Sequence, residues 1–275
     1  MQASAHSEKV FSTLRQAAAG GRPDYVRESW RRCLQDFGLE PERARSVDLL
    51  TRSELAEVTS PVEDLVSLAR SEVDRLFARL NPHGYFITLN EKTGVTLLLR
   101  CSPELVEGCR KAGLMVGSIW SEDLRGTNGI GTALAAKCPV SIVRDDHFTV
   151  DFTQLTCNAA PIHGERGSIA GVLNVTTPHE CEHTSQRFVR DILSRAAQRI
   201  ERMYFARRFA GGTVVRLSRY DDFADIAEEH WLALDSGERI LDATPSAEKA
   251  LRVPLDRLIG SKLGEVVDLG KPHGT

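Results

Sequence analysis

Hydrophobic residues recur at helical spacing in the first part of the chain. The apolar side chains of segment 26–37 fall on one stripe of a helix. A second helical pattern covers about 52–80 and is interrupted where Pro61 fits the first turn of a new helix, capped by Ser60. Residues 1–25 are polar, and we expect them to form a flexible amino terminus.

The hydrophobic period then changes to that of strands. Segments 85–90 and 94–100 are joined by a glycine-containing turn and predict a β-hairpin. Segments 155–162 and 168–176 predict a second hairpin, and a further strand is expected over 139–143. These strands are close in sequence and are connected by short turns, so they predict an antiparallel sheet.

A long closing helix is predicted from about Ser185 to Phe209, before a pair of glycines. Helices, an antiparallel sheet and a closing helix together indicate the α+β class. A new hairpin follows over 230–244, with its turn at 235–237. The remaining ~60 residues are few for a self-sufficient core, so we expect this second unit to be a partial domain.

Composition narrows the function classes. The chain has 275 residues and a formal net charge of −3 without a concentrated basic face, so we expect no direct nucleic-acid contact. No apolar run reaches the ~18–20 residues of a membrane span, and the first residues lack a secretion signal. We therefore expect a cytoplasmic protein. The six cysteines are scattered without a CxxC pair, which favours buried, reduced thiols.

The segment Trp120–Leu134, WSEDLRGTNGIGTAL, is the most informative stretch. It predicts a tight glycine-rich turn leading into a helix, with Thr127 or Asn128 as the cap. The first turn of such a helix presents free N–H groups and a positive dipole end, which attract a hydroxyl, carbonyl or carboxylate oxygen. A helix that simply packs closely on a sheet needs the same small residues. No Lys-Ser or Lys-Thr follows, so a phosphate loop is excluded.

Five segments occur in a fixed order that is typical of one family. They are Trp120-Ser-Glu122, Gly126-Thr-Asn-Gly-Ile-Gly-Thr-Ala-Leu134, Asp146-His-Phe148, Leu155-Thr-Cys-Asn-Ala-Ala-Pro-Ile162 and Gly171-Val-Leu-Asn-Val175. With them, the chain resembles the amino-terminal sensory region of the acetoin catabolism regulators, which are sigma-54-dependent transcriptional activators. The opening helix with Glu28-Ser-Trp-Arg-Arg-Cys33 is similar as well.

The resemblance implies a GAF-like sensor domain over 26–209, a linker over 210–226 and the first part of a PAS-like domain over 227–275. Family members continue into an ATPase module and a helix-turn-helix module. Neither is found in this sequence, and no GxxxxGK[ST] motif occurs. We therefore expect the chain to be either a fragment or a stand-alone sensor.

The function implied is sensing without catalysis or a cofactor. A small polar metabolite, such as an acetoin-like hydroxy-ketone or a diol, would bind the GAF-like domain. The helix over 185–209 would pass the signal to output modules outside this chain. A homodimer through the terminal helices is expected.

The predicted ligand site combines the glycine-rich corner with the strands. Trp120 and Phe148 would form apolar walls, and Asn174 interrupts an apolar run where the family leads us to expect an acidic residue. A buried amide there would serve a ligand or be satisfied by loop backbone. The predicted ligand-binding residues are Trp120, Glu122, Gly126, Thr127, Asn128, Phe148, Cys157, Ala159 and Asn174.

Several alternatives remain. A GAF-type methionine sulfoxide reductase or a thiol-based redox sensor would use Cys101, Cys109 or Cys157 as a reactive thiolate. The group His179, Cys181 and His183 has donors that suit zinc, although a polar loop is the commoner origin of such a cluster, and no metal is predicted. The group Asp145-Asp146-His147 is expected to be an exposed turn. No signature indicates a tetrapyrrole-binding or cyclic-nucleotide-binding GAF domain.

Overall fold

The structure is a computed structural model that describes residues 2–15, 22–43, 47–218 and 229–267, without the side chains of residues 2–4 and 183. The chain divides into two compact units. The first comprises Met1–Ile162 and Ala170–Ile200, and the second comprises His163–Ile169 and Glu201–Thr275. Across the described ranges, no helix combines the length and apolar character that crossing a membrane requires.

Helices and strands follow the mixed order that the sequence predicts. The helices are α1 Gln2–Arg15, α2 Asp24–Arg31, α3 Arg52–Thr59, α4 Glu63–Leu80, α5 Pro103–Lys111, α6 Glu122–Arg125, α7 Gly129–Ala136, α8 His183–Arg208, α9 Pro245–Leu251, α10 Leu255–Leu258 and α11 Leu263–Val266. The strands are β1 Phe86–Glu91, β2 Thr96–Arg100, β3 Val140–Val143, β4 Thr156–His163, β5 Ile169–Thr177, β6 Thr213–Leu217, β7 His230–Leu234 and β8 Ile240–Ala243. A π-helical turn, Arg32–Asp36, extends α2.

The first unit is built on a five-stranded antiparallel sheet in the order β2-β1-β5-β4-β3. The two predicted hairpins form the pairs β1–β2 and β4–β5, and the central pair β1–β5 places Thr88 opposite Asn174. A GAF-like antiparallel sheet flanked by helices was the predicted class, and the structure confirms it.

Strand alternation gives this sheet two different faces. The inner face carries Phe86, Ala159 and Val172 and shares one core cluster with α2 and α7. The outer face is covered by α4 and α8. There, the amide of Asn158 donates to Gln186 of α8 at 2.7 Å. Consecutive residues of β4 and β5 therefore lie in separate environments, and only one face of each strand meets α7.

Local sequence explains where the helices begin. At α3, Thr51 Oγ1 accepts the backbone N–H of Glu54 at 3.3 Å, while the Glu54 carboxylate accepts the Thr51 N–H at 2.8 Å, which is a capping box. Helix α4 follows a single 3₁₀ turn, Ser60–Val62, that contains Pro61, which confirms the interruption expected there. Ser60 does not cap the helix as expected, because its own backbone is already helical and α4 begins after Val62.

The second unit contains a three-stranded antiparallel sheet in the order β6-β7-β8. Its core is formed by side chains of β7, β8 and the short helices after them, including Leu232, Ile240 and Leu258. The buried Asp242 carboxylate accepts the Arg166 N–H at 3.1 Å and Arg208 Nη2 at 2.9 Å. The loop between β4 and β5 therefore belongs to this unit.

Two expectations need correction. The amino terminus was expected to be flexible, yet residues 2–15 form α1, with Val10 fully buried in the core cluster of the inner face. The predicted linker 210–226 contains β6, because alternate apolar residues in 213–217 pair with β7. Its residues 219–226, and the carboxy-terminal residues 268–275, lie outside the described part of the chain.

The Asp242 carboxylate should be a main stabilising contact of the second unit. We expect Asp242→Ala to lower the free energy of unfolding of this unit by about 2–3 kcal/mol, because it leaves the Arg208 guanidinium and backbone donors without their acceptor. Hydrogen exchange measured by mass spectrometry should show faster exchange over 230–243. Asp256→Ala, at an exposed carboxylate of α10, is the control and should leave this exchange unchanged. Equal protection in both variants would contradict the role of Asp242.

Candidate functional site

The glycine-rich corner is held together by Asn128. Its Oδ1 accepts the Gly131 N–H at 2.9 Å, and its Nδ2 donates to the carbonyls of Trp120 at 3.1 Å and Gly126 at 2.9 Å. Of the two predicted caps, Asn128 therefore fills the role rather than Thr127. Both N–H groups and the oxygen of this amide make hydrogen bonds within the corner. Asn128 thus shapes the start of α7 and has no free donor for a ligand.

Glu122 and Thr127 are engaged by α2 and the π-helical turn after it. Arg32 donates to both Glu122 oxygens, at 2.8 and 3.0 Å, and Ser29 Oγ donates to Oε1 at 2.5 Å. The Ser29 hydroxyl also lies 2.6 Å from Thr127 Oγ1. The hydrogen bond to the Glu122 carboxylate raises the pKa of Arg32. This partly buried ion pair ties the corner to the amino-terminal helices, so we assign Glu122 and Thr127 a structural role.

The two predicted aromatic walls lie inside the core. Trp120 is 3% exposed, donates from Nε1 to Ser118 Oγ at 2.8 Å and packs on Phe152 with ring centroids 5.3 Å apart. Phe148 is fully buried against the turn at Gly126, where a Cβ would lie 2.8 Å from the Phe148 Cβ. Gly126 has φ 68°, so both its conformation and its surroundings require glycine.

Side chains on the inner face form what we call the polar stripe. It begins on β2 and β1, where Thr96 Oγ1 donates to Asn90 Oδ1 at 2.8 Å and Asn90 Nδ2 donates to Thr88 Oγ1 at 3.0 Å. It continues over β5 and β4 towards the loop after β3. Its members are Thr96, Asn90, Thr88, Asn174, Thr176, Cys157 and His147, and all of them are buried.

The orientation of these hydrogen bonds is set at His147. Its Nδ1 lies 2.9 Å from the Arg144 carbonyl, which can only accept, so Nδ1 carries the proton and Nε2 is an acceptor. The Cys157 thiol, 3.4 Å from Nε2, therefore donates to it. Thr176 Oγ1 in turn donates to Cys157 Sγ at 3.2 Å. The single proton of the Thr176 hydroxyl is used in this contact.

The same argument fixes the amide of Asn174. Because the Thr176 hydroxyl has no second proton, it accepts from Asn174 Nδ2 at 3.1 Å, and Nδ2 also donates to Thr88 Oγ1 at 3.3 Å. Asn174 Oδ1 therefore points to α7, where a Cβ on Gly129 would lie 2.6 Å away. This oxygen has no hydrogen-bond partner among the described residues, although Asn174 is only 1% exposed.

Burial keeps the imidazole and the thiol of the stripe neutral. It lowers the pKa of His147 to about 4, with the Arg144 carbonyl acting in the opposite direction. It also raises the pKa of Cys157 to about 11, although the hydrogen bonds from Thr176 and from the Gly129 N–H favour the thiolate. The pair is therefore a neutral thiol donating to a neutral imidazole at pH 7.

Of the nine predicted residues, the structure brings together Cys157, Asn174 and the start of α7. A Cβ on Gly129 would lie 2.8 Å from the Cys157 Cβ and 3.6 Å from the Ala159 Cβ, so these strands meet the helix directly. Asn174 is not satisfied by loop backbone, which was the alternative left open by the sequence. The polar stripe is our candidate ligand site.

Sequence reasoning missed His147, Thr88 and Thr176. The group Asp145-Asp146-His147 was expected to be an exposed turn, but His147 is 1% exposed. Its burial follows from contacts with distant residues, since Trp30 Nε1 donates to the Asp146 carbonyl at 2.8 Å. The hydroxyls of Thr88 and Thr176 were detectable only as polar members of apolar strands.

The remaining candidate groups are the cysteines of the reductase alternative and the possible zinc ligands. Burial raises the pKa of Cys109 to about 12, which disfavours the reactive thiolate required by the reductase alternative. Cys181 Sγ donates to the His179 carbonyl at 3.4 Å, while the side chain of His183 lies outside the described residues. No group of three or more metal-binding side chains occurs in the part of the chain that was described.

An open cavity of about 400 Å³ lies beside Phe152, and its lining includes Val47, Leu49, Arg110 and Met115. None of the predicted ligand-binding residues lines it. It is thus separate from the polar stripe, although Phe152 packs on Trp120.

The chain is similar in sequence to regulators of transcription. The chain is 30% identical over 245 residues to the acetoin catabolism regulatory protein of Cupriavidus necator, a match that covers 88% of this chain and 36% of that protein. It is 28% identical over 174 residues to the acetoin dehydrogenase operon transcriptional activator AcoR of Bacillus subtilis, covering 63% of this chain and 29% of that protein. The chain is a homologue of the acetoin catabolism regulators. It spans about a third of their length.

Comparison with solved structures supports the fold described above for this chain. The chain matches the crystal structure of the E. coli DhaR(N)–DhaL complex with a TM-score of 0.60 and 14% identity, covering 89% of this chain and 82% of that one. No family model matches the chain. At this identity the structural match concerns the fold alone.

The contact of α7 with the strands can be tested at Gly129. We expect Gly129→Ala to lower the free energy of unfolding by about 1–3 kcal/mol, because its methyl group would overlap Asn174 Oδ1 and the Cys157 Cβ. Urea unfolding measures the change. The control is Gly108→Ala on α5, where a Cβ meets no atom within 4 Å, and a gain of about 0.5–1 kcal/mol is expected. Equal stability of the two variants would contradict the close contact.

Burial of His147 should make stability depend on pH. Because the pKa of His147 is lowered from 6.5 to about 4, the stabilisation is present above 6.5 and is lost as the pH falls towards 4. We expect the wild-type chain to lose roughly 1.4 kcal/mol per pH unit in this range relative to His147→Gln. Urea midpoints between pH 7.5 and 4.5 measure the difference. His83→Gln, at an exposed histidine, should follow the wild-type curve, and parallel curves for all three would disprove the role of His147.

Proposed function

We propose that this chain is the effector-sensing region of a transcriptional regulator and that the polar stripe binds a small polar metabolite. The proposal rests on Asn174 Oδ1, which has no hydrogen-bond partner in the described part of the chain. A buried acceptor without a donor costs about 1–3 kcal/mol, and the neighbouring polar groups of the stripe are paired. A ligand that brings a hydrogen-bond donor to this oxygen recovers that free energy.

The surroundings of Asn174 favour a short, uncharged ligand. Cys157 and His147 are held neutral, and the carboxylate of Glu122 is already neutralised by Arg32. A charged ligand here would lose its hydration, and the described members of the polar stripe carry no charge that would compensate it. A hydroxyl group suits Oδ1, while apolar side chains such as Val172 and Ile130 share the same core. An acetoin-like hydroxy-ketone or a diol has this chemistry and agrees with the names of the homologues.

Signalling would pass from the strands to α8. Ligand binding would reposition β4 and β5, whose outer face contacts α8 through Asn158 and Gln186. This continuous helix of 26 residues would then bias sigma-54-dependent output modules beyond the matched region. We further propose that the sensor acts without catalysis or cofactor, as a homodimer in the cytoplasm, and that 227–275 is the start of a PAS-like domain.

A substitution at Asn174 tests the site. In a thermal-shift assay with acetoin and butane-2,3-diol, we expect at least one compound to raise the melting temperature of the wild-type chain, because a ligand that binds the native state stabilises it. Asn174→Leu removes Oδ1 at similar volume and should abolish the shift. Without ligand it should lower the free energy of unfolding by about 1–2 kcal/mol, because the loss of the Nδ2 bonds to Thr88 and Thr176 is partly offset by removal of the unpaired acceptor.

Asn158→Ala is the matched control on the outer face of β4. It should lower stability through loss of the bonds to Ser141 and Gln186 but keep the ligand-induced shift. No shift of the wild-type chain with either compound at well above millimolar concentration would reject the acetoin-like ligand. A shift that persists in Asn174→Leu would place the ligand elsewhere.

A further inference from the structure

Cys157 and His147 are arranged as a thiol with its own base. The thiol donates to His147 Nε2 at 3.4 Å, and the opposite ring nitrogen is oriented by the Arg144 carbonyl at 2.9 Å. A base that is itself oriented by a third group is the arrangement that activates nucleophilic thiols. Because burial keeps this imidazole neutral, Nε2 is free to take up the thiol proton.

The sulfur of Cys157 has a hydroxyl donor and faces the start of α7. Thr176 Oγ1 donates to Sγ at 3.2 Å, and the nearby Gly129 N–H lowers the pKa of the thiol, against the effect of burial. Both contacts stabilise negative charge that develops on the sulfur when its proton moves to His147. The sulfur is thus prepared for a step in which it becomes transiently more anionic.

Asn174 supplies an independent observation at the same place. Its Oδ1, which has no partner among the described residues, lies 2.6 Å from the position that a Cβ on Gly129 would occupy, and the Cys157 Cβ lies 2.8 Å from it. Cys157 and the unused acceptor of Asn174 therefore both face the start of α7, and the Cys157 thiol is paired with the His147 base.

We propose that Cys157 adds reversibly to an electrophilic carbonyl group of the effector, with His147 as the proton carrier. The Cys157 sulfur forms a bond to the carbonyl carbon, and the C=O π bond breaks. The thiol proton moves to His147 Nε2 and from there to the carbonyl oxygen. The product is a hemithioacetal whose hydroxyl donates to Asn174 Oδ1. No electrons are gained or lost overall, and no co-reactant is needed.

This step deepens the proposed function and rests on it, because it names the ligand class of the same site. The carbonyl must be more electrophilic than that of a simple ketone, so the class is a short α-dicarbonyl or α-hydroxy-carbonyl compound. A diol cannot form the adduct. The buried Cys33 contacts the Thr127 hydroxyl instead of an imidazole and has its pKa raised to about 12, so it is a matched control thiol.

The experiment uses the full chain with ¹³C-carbonyl-labelled butane-2,3-dione, and butane-2,3-diol as the probe without a carbonyl. In ¹³C NMR, we expect the bound dione to give a signal in the saturated-carbon region in the wild-type chain and in Cys33→Ser. Cys157→Ser should lose that signal. His147→Gln should form the adduct at least about tenfold more slowly, because the proton carrier is gone.

Thermal shifts separate this proposal from the sensor proposal. The dione should stabilise the wild-type chain more than the diol does, and Cys157→Ser should remove that difference. Equal shifts for both probes in both chains, without a saturated-carbon signal, would overturn covalent addition and leave the sensor proposal standing. No shift of the wild-type chain with these probes or with acetoin would reject both proposals. If Cys157→Ser does not fold, Cys157→Ala, which needs no hydrogen-bond partner, gives the same comparison.

Discussion

The close approach of α7 to the sheet at Gly129 is the contact on which the candidate site depends. A side chain at this position would overlap both Asn174 and Cys157, so the strands and the helix meet only because residue 129 has no Cβ. Gly131 repeats the requirement on the other side of the corner, where a Cβ would lie 2.7 Å from the Trp120 carbonyl oxygen. The Asn128 cap and the ion pair of Glu122 with Arg32 then fix the start of the helix in this position. The glycine-rich motif thus acts through close packing, as well as through its turn.

The hydrogen bonds at one end of the polar stripe all run in the same direction. Every hydrogen bond from Thr176 to His147 is oriented by one acceptor, the Arg144 carbonyl. The orientation leaves Asn174 Oδ1 without a donor from any residue that the structure describes. A core normally avoids such an atom because its desolvation is uncompensated. Its persistence next to a helix start is a physical reason to infer a ligand that supplies the donor.

Local sequence patterns predicted most of the fold. The hairpins β1–β2 and β4–β5 follow from strand-period runs and short turns, and the closing helix follows from its spacing. The amino-terminal helix α1 was missed because its segment is polar overall. The strand β6 was missed because a pair of glycines precedes it and its partner β7 begins thirteen residues after β6 ends.

The site was predictable only in part, because its decisive partners are distant in sequence. Cys157, Asn174 and the capped helix were recognisable from their types and positions. The hydrogen bonds that Glu122 accepts from Arg32 and Ser29 could not be predicted, because these residues lie about ninety positions earlier in the chain. On the basis of these bonds we assign Glu122 a structural role instead of a ligand-binding one. His147 was predicted to lie in an exposed turn for the same reason. The burial of this turn depends on contacts with Trp30 of α2 and with Arg22, which precedes α2.

His147 and Cys157 are both neutral, and this affects the stability of the core as well as the reactivity of the thiol. Full burial disfavours both the imidazolium of His147 and the thiolate of Cys157, so the resting pair carries no net charge and suits an apolar core. The same burial makes any ion pair formed between them short-lived, because separated charges here have little hydration. Transfer of the Cys157 proton to His147 therefore has to occur together with formation of the bond from sulfur to the carbonyl carbon, so that negative charge does not accumulate on the sulfur. This constraint favours the proposed reversible addition to a carbonyl over storage of a reactive thiolate.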